Sequence, residues 1–326
     1  MITFIRTAAT AALVSINVFL TAPVAAQNYP TRSITLVVPF AAGGITTNQS
    51  RLVADRLSKK FGQPVVVVNQ PGAGGMIGTE SVARAAPDGY TLIYGTHGTL
   101  AANLALYKDL RVNPPKDLRA VHSLFKQSTV LVTGMNTPYK TLDDLIQAAR
   151  QDPGKINYGS AGSGTQTHLA AARLQSATDI QLTHIPYKGS NAALVDVMAG
   201  IVDITFTFAE SAVPQIEAGK LRALAIAGRN PLRILPNIPT VIEAGYPNAA
   251  LEGWSGIFVP AGTPDHIVTT LAEAIKEATE DPEVLDAMAR IGSLPMGMAD
   301  KDFEEFVEKE VGYWKEVVEQ SGARLE

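Results

Sequence analysis

The sequence predicts an α/β protein with two domains, each built on a mostly parallel sheet. Short apolar runs rich in β-branched residues alternate with amphipathic runs of helical spacing, a pattern typical of parallel strands covered by helices. The pattern starts again near Thr129. The chain has 326 residues, of which 46% are hydrophobic, which is enough to give each of two domains its own core.

The first unit is predicted to contain three buried strands, at residues 34–38, 65–68 and 91–94. Helices are predicted between them at 49–61 and 77–86. In the first of these helices Val53, Leu57 and Phe61 share one face, and charged residues occupy the other. That distribution indicates a helix that covers a sheet.

The second unit is predicted to contain strands at 129–133, 156–158, 181–185, 202–206 and 221–226. Its predicted helices are at 141–150, 165–176 and 192–199. A strand at 254–259 follows, and then three helices that begin near Pro264, Pro282 and Asp300. The last helix carries apolar residues at helical spacing, which predicts that it is packed.

We expect the end of the chain to cross back and cover the first unit. Residues 27–128 and 255–326 then form lobe 1, and residues 129–254 form lobe 2. Hinge crossings are predicted near 129–134 and 251–257.

Residues 1–26 read as a signal peptide that is cleaved after Ala26. Arg6 precedes an apolar stretch at 8–20, and Val24-Ala25-Ala26 offers small residues at the cleavage point, the order typical of export signals. Polar residues interrupt the stretch, so an uncleaved membrane anchor is the weaker interpretation. The chain has no cysteine, which excludes a disulfide and a thiol nucleophile.

Charge and motifs argue against several functions. A net charge of -4 and the lack of a basic run disfavour nucleic-acid binding. The five histidines have no metal-ligand spacing, and no dinucleotide, Walker A or nucleophile-elbow motif is complete. We therefore expect no metal, no cofactor and no catalytic residue.

Two glycine-rich junctions are the strongest functional signal. Residues 38–44 and 158–168 each pass from a predicted strand into a predicted helix. A helix N-terminus presents unpaired N–H groups to an anion, and glycine lets the anion approach closely. The two junctions predict opposing halves of one anion site between the lobes.

Neither junction contains an arginine, so we expect binding through backbone amides and hydroxyls. Extra hydroxyls in the second junction exceed what helix capping needs. His168 is more often a structural histidine in such a position, and Asp203 is expected to serve structure. The predicted ligand-binding residues are Phe40, Ala42, Gly43, Gly44, Thr46, Thr47, Thr96, His97, Ser160, Gly162, Ser163, Gly164, Thr165, Thr167 and Tyr187.

From Tyr29 onward the chain resembles the periplasmic solute-binding proteins of tripartite tricarboxylate transporters, the Bug proteins. The resemblance rests on several motifs that occur in the same order. They are Val38-Pro39-Phe40 with Gly43-Gly44, Pro71-Gly72-Ala73-Gly74-Gly75, Ala86-Pro87-Asp88-Gly89-Tyr90, Pro186-Tyr187-Lys188-Gly189, Ala218-Gly219-Lys220-Leu221-Arg222 and Pro260-Ala261-Gly262-Thr263-Pro264.

This resemblance implies a two-lobed periplasmic binding protein of the Venus flytrap kind, type II-like, with two interlobe crossings. It further implies a periplasmic location and a small carboxylate ligand enclosed by lobe closure. The implied partners are a large and a small integral membrane subunit, and the receptor itself is expected to be a monomer.

The chain departs from the family pattern at two positions. Thr47 stands where many relatives have Asp, and Gln70 stands where they have Arg. Without the carboxylate at 47 the site lacks a partner for a ligand ammonium. We therefore hypothesise a ligand without an amino group, a di- or aromatic carboxylate.

Two other functions remain open from the residues alone. A periplasmic hydrolase could use Ser160 or Thr165 with His168, although no oriented acid is evident beside the histidine. A ligand-binding component of a sensor system would share the same binding fold.

Overall fold

The structure is a computed structural model that describes residues 29–321. The predicted signal peptide and its cleavage point lie outside these residues. The strands are β1 Ile34–Val38, β2 Val65–Asn69, β3 Thr91–Thr96, β4 Leu118–Gly134, β5 Asn157–Ser160, β6 Thr183–Pro186, β7 Ile204–Phe208, β8 Leu221–Ile226, β9 Glu252–Pro260 and β10 Ser293–Pro295.

The helices alternate with these strands through most of the chain. They are α1 Ile45–Phe61, α2 Met76–Ala83, α3 Asn103–Leu106, α4 Pro114–Asp117, α5 Leu142–Gln151, α6 Gln166–Thr178, α7 Ser190–Ala199, α8 Ala209–Glu217, α9 Asp265–Glu280, α10 Pro282–Arg290 and α11 Asp300–Ser321. Within the described range, no helix is both long and apolar enough to pass through a bilayer.

All ten strands belong to one sheet. Eight follow the order β2-β1-β3-β9-β4-β7-β5-β6, while β8 and β10 pair with β4 beside this path. At one end β1 is parallel to β2 and β3, and at the other end β5 is parallel to β6 and β7. Two parallel groups therefore flank the antiparallel strands β9 and β4, in agreement with the α/β class predicted from the sequence.

Strand β4 connects the two groups without a break. It is 17 residues long. Residues 118–128 pair with β9 and β10, whereas residues 129–134 pair with β7 and β8. The change of partners between Ser128 and Thr129 coincides with the first predicted crossing, and the start of β9 lies in the second. The exact lobe boundaries stay a prediction.

Helix α11 packs on both halves of the molecule. Phe303 and Val307 join Trp254 in a cluster on the β9 side, while Trp314 and Val317 join the core that covers β5 and β7. The end of the chain was expected to cross back and cover the first unit, and this stays a prediction. The apolar face of the 22-residue helix is long enough to reach both cores.

Several elements differ from the sequence prediction, and the short elements α3, α4 and β10 were not predicted. Strand β4 begins at Leu118 rather than near Thr129, because His122, Ser123 and Gln127 are buried in it and interrupt its apolar pattern. Helix α8 was not predicted, since Pro214 lies inside it and proline normally ends a helical pattern. The predicted helix starts near 264, 282 and 300 are confirmed.

Candidate functional site

The two glycine-rich junctions lie at the carboxyl ends of parallel strands. The first loop, residues 39–44, joins β1 to α1, and the second loop, residues 161–165, joins β5 to α6. In open α/β sheets this is the edge at which ligands bind. Both helices begin with N–H groups that the helix itself cannot satisfy.

Asn69 supports the first loop through two hydrogen bonds. Its Nδ2 donates to the carbonyl oxygen of Phe40 at 2.8 Å and to Oγ1 of Thr47 at 2.9 Å. Thr47 is fully buried, and its hydroxyl also lies 3.5 Å from the carbonyl oxygen of Ala41. The predicted ligand contact at Thr47 stays a prediction, but its hydroxyl is engaged in holding the loop.

The upper surface of the first loop is open. Ala42 and Gly43 are exposed, and Phe40, Gly44 and Thr46 are partly exposed. A side chain built on Gly43 or Gly44 would meet no atom within 4 Å. The N–H groups of Ile45 and Thr46 donate to no residue in the range 29–321, so the loop can offer amides to an anion.

We expect Asn69→Ala to weaken ligand binding by up to about 30-fold, because two hydrogen bonds that shape the first loop are lost at about 1 kcal/mol each. Titration calorimetry with the best-binding carboxylate measures the change. Asn113→Ala makes the same replacement at an exposed position outside the loop and is expected to bind like the unmodified protein. Equal affinities for the two variants would contradict the role given to Asn69.

Internal hydrogen bonds shape the second loop. Ser160 Oγ is buried, accepts the N–H of Gly162 at 3.1 Å and lies 2.7 Å from Nε2 of His184. Thr167 Oγ1 accepts the N–H of Ala161 at 2.8 Å. These hydroxyls act first as supports that preset the loop.

Thr165 completes this support. Its hydroxyl donates to the carbonyl oxygen of Gly162 at 2.7 Å and lies 3.0 Å from that of Thr167. These hydroxyls support the loop, and their predicted contacts with a ligand stay a prediction. Ser163, by contrast, is exposed at the tip of the loop, next to buried Gly164.

His168 and His184 form a stacked pair beneath the second loop. Their ring centroids are 4.2 Å apart, and Tyr158 stacks on His184 at 4.8 Å. Nδ1 of His168 accepts the N–H of Gly164 at 3.1 Å, which requires an unprotonated Nδ1. Burial lowers the pKa of His168 from 6.5 to about 4. The structural interpretation of His168 agrees with these contacts.

Thr96 ends β3, His97 follows it, and both are buried. His97 stacks on Trp314 with 4.4 Å between ring centroids, and its Nδ1 accepts the N–H of Trp254 at 3.4 Å. Thr96 Oγ1 accepts the N–H of Thr99 at 3.3 Å. The structure thus places both residues at the expected strand end, with these polar atoms engaged inside the protein.

Tyr187 lies between β6 and α7, and its predicted contact with a ligand stays a prediction. Its hydroxyl donates to Oδ2 of Asp196 on α7 at 2.6 Å. Asp203 has the structural role that was expected, since its Oδ2 accepts the N–H of Asn157 at 2.7 Å.

A buried polar network brings the starts of α1 and α6 together. Gln166 Nε2, at the first position of α6, donates to the carbonyl oxygen of Gln127 at 2.8 Å. Gln127 Nε2 donates to Oε1 of Gln49 in α1 at 2.9 Å, and Tyr94 donates to the same oxygen. The network passes through β4 beside the change of strand partners. Sequence reasoning missed it, because no local pattern connects these residues.

The described residues show no metal centre. In the range 29–321, no three His, Cys, Asp or Glu side chains are arranged to hold a metal ion. The first loop presents N–H groups at the start of α1 that are free within the described residues, and α6 begins at the second loop; helix starts of this kind can hold an anion without a cation.

Comparisons with known proteins place the chain in one family. Residues 49–323 match the family described as "Tripartite tricarboxylate transporter family receptor". BugT of Bordetella pertussis is 36% identical over 305 residues, which cover 93% of this chain and 94% of that protein.

Two solved structures with ligands are also similar. Rpa4515 of R. palustris with adipate is 34% identical with a TM-score of 0.85, over 91% of this chain and 100% of that chain. MatC of Rhodopseudomonas palustris with bound malate is 33% identical with a TM-score of 0.80, over 89% of this chain and 100% of that chain. This chain belongs to the receptor family of tripartite tricarboxylate transporters, whose members bind substrates and are not enzymes.

Proposed function

We propose that this protein is a periplasmic receptor that captures a small di- or aromatic carboxylate between its two lobes. The observation that carries the proposal is the convergence of two amide-presenting helix starts on one buried network, Gln49-Gln127-Gln166. Each start comes from a different parallel group of the sheet. A carboxylate between them is held from both sides, which favours the closed arrangement of the lobes.

The similar proteins favour a dicarboxylate over the aromatic alternative. Adipate and malate, the ligands in the two similar structures, are both dicarboxylates. One carboxylate can lie at the first loop and the other at the second. The ligand needs no amino group, because position 47 is threonine. If calorimetry shows aspartate or glutamate binding more tightly than every unaminated carboxylate, this part of the proposal is wrong.

Delivery to a membrane transporter is the proposed outcome of capture. Membership of the receptor family supports a large and a small integral membrane subunit as partners. The receptor would reach them after removal of residues 1–26. Loss of carboxylate uptake in a strain that lacks this protein would support transport, whereas intact uptake with a lost transcriptional response would favour a sensor role.

A thermal-shift screen with citrate, C4 to C6 dicarboxylates, benzoate, nicotinate and phthalate isomers tests carboxylate binding. A ligand at 100 times its Kd stabilises the native state by about 2.7 kcal/mol. We expect at least one dicarboxylate to raise the melting temperature. If none of these compounds changes it, the proposed function fails.

A pair of glycine variants tests the position of the site. Gly43 and Gly245 both have φ near 90°, at 88° and 93°, and a side chain on either meets no atom within 4 Å. Valine is therefore strained to a similar extent at the two positions. We expect Gly43→Val to weaken dicarboxylate binding at least about tenfold, through lost close approach to the loop, and Gly245→Val to retain it. Equal losses would place the site elsewhere.

A further inference from the structure

Glu210 occupies the same edge of the sheet as the second loop. It is the second residue of α8, which directly follows β7. Strand β7 is a parallel neighbour of β5, so α8 and α6 begin side by side at the carboxyl ends of their strands. Glu210 is not among the ligand-binding residues predicted from the sequence, because α8 was not predicted.

Residues of the opposite half of the sheet contact the start of α8. The side chain of Asn48, in the first turn of α1, lies close enough to Glu210 to lower its pKa, against the larger effect of burial, which raises it. Burial raises the pKa of the Tyr94 hydroxyl, and the charge of Glu210 raises it further. A Cβ added at Gly292 would be 3.1 Å from that of Ala209. Glu210 therefore lies at the start of α8, close to the first turn of α1.

A carboxylate at this position is unfavourable for an anionic ligand. Glu210 is half-buried, and loss of water contact raises its pKa. A second carboxylate nearby would add repulsion. An ionised carboxylate can accept about four hydrogen bonds, so Glu210 is able to accept one from a ligand. A donor on the ligand would offset the repulsion.

We propose that Glu210 accepts a hydrogen bond from a hydroxyl group of the bound ligand, so that the site prefers hydroxylated carboxylates to their unsubstituted counterparts. This inference rests on the proposed function, because it assumes that a carboxylate binds at the two loops. The two loops bind the carboxylate groups of the ligand, and Glu210 recognises its hydroxyl group.

Glu210 also has a structural role that the test must separate from recognition. An acidic residue in the first turn of a helix interacts favourably with the helix dipole, and the contact with Asn48 joins two parts of the sheet. Loss of either role would change the affinity for every ligand by the same factor. Recognition of a hydroxyl changes the ratio of affinities within a matched pair.

The experiment measures Kd by calorimetry for pairs matched in carbon number, succinate with malate and glutarate with 2-hydroxyglutarate. Glu210→Gln keeps the shape of the side chain and removes its charge. Glu217→Gln is the matched control, since Glu217 is exposed on the same helix. We expect the unmodified protein and Glu217→Gln to prefer the hydroxylated member. Glu210→Gln is expected to reduce that preference about tenfold, the cost of losing a charged acceptor.

Each other outcome overturns the inference. If Glu210→Gln weakens both members of a pair by the same factor, Glu210 acts on the fold or on lobe closure and recognises no hydroxyl. If the unmodified protein prefers aspartate to malate and Glu210→Gln removes that preference, the donor is an ammonium group. If the unmodified protein binds hydroxylated and unsubstituted dicarboxylates equally well, only this inference fails. If it binds no carboxylate, the proposed function fails as well.

Discussion

Acidification from pH 7 to pH 4 is expected to lower the free energy of unfolding strongly, through His97 and His168. Burial lowers the pKa of each ring from 6.5 to about 4. The unfolded chain therefore takes up protons first as the pH falls. The contribution of each ring is complete above pH 6.5 and is lost progressively towards pH 4, by about 3 kcal/mol per ring from 1.36 kcal/mol per pKa unit.

The contacts of these two rings explain why acidification lowers the free energy of unfolding. Nδ1 of His97 accepts the N–H of Trp254, and Nδ1 of His168 accepts the N–H of Gly164. Protonation would place one donor against another in a buried site. Neighbouring His184 adds to the effect at His168, because a charge on either stacked ring disfavours a charge on the other.

Urea denaturation at pH 7, 5.5 and 4.5 measures this loss. His168→Asn is informative because the amide oxygen of asparagine can replace the Nδ1 acceptor and does not titrate. We expect this variant to lose less stability on acidification than the unmodified protein. His266→Asn changes an exposed histidine and serves as the control. If the two variants show the same pH dependence, His168 is not its source.

Glu310→Ala is expected to destabilise the protein by about 3 kcal/mol, since one carboxylate oxygen accepts two hydrogen bonds of the charged kind. Glu310 Oε2 accepts the indole N–H of Trp254 at 2.6 Å and that of Trp314 at 2.8 Å. Both tryptophans are buried, with 3% and 0% of their surface exposed. The substitution leaves two buried donors without their acceptor.

Chemical denaturation compares this variant with two others. Glu310→Gln keeps one amide oxygen for the indoles and is expected to lose less stability than Glu310→Ala. Glu308→Ala removes an exposed glutamate from the same helix and is expected to stay within about 0.5 kcal/mol of the unmodified protein. If Glu310→Ala and Glu308→Ala had the same free energy of unfolding, the hydrogen bonds from Trp254 and Trp314 to Glu310 would not stabilise the fold.

Local sequence patterns predicted the elements and the two loops well. Runs such as Ile34–Val38, followed by Gly43 and Gly44, carry both the strand and the turn in neighbouring residues. The α/β class and the family were predicted for the same reason. The structure and the comparisons confirm both.

Polar contacts between distant residues could not be predicted. Ser160 pairs with His184, and Asn69 supports Thr47, yet nothing near these residues in the chain indicates the partner. Hydroxyls that looked available to a ligand were therefore already engaged. Glu210 was missed for a related reason: its helix contains a proline, and Asn48, its partner, comes from the other half of the sheet.

The position of β9 between β3 and β4 affects the order in which the strands of the sheet can pair as the chain is synthesised. Among residues 29–321, strands β1, β2 and β3 join the rest of the sheet through β9 alone, and β9 begins at Glu252. Such pairing over a long sequence distance slows folding. Strands β1, β2 and β3 are therefore synthesised well before the strand that joins them to the rest of the sheet, since β9 comes at the start of the last quarter of the chain.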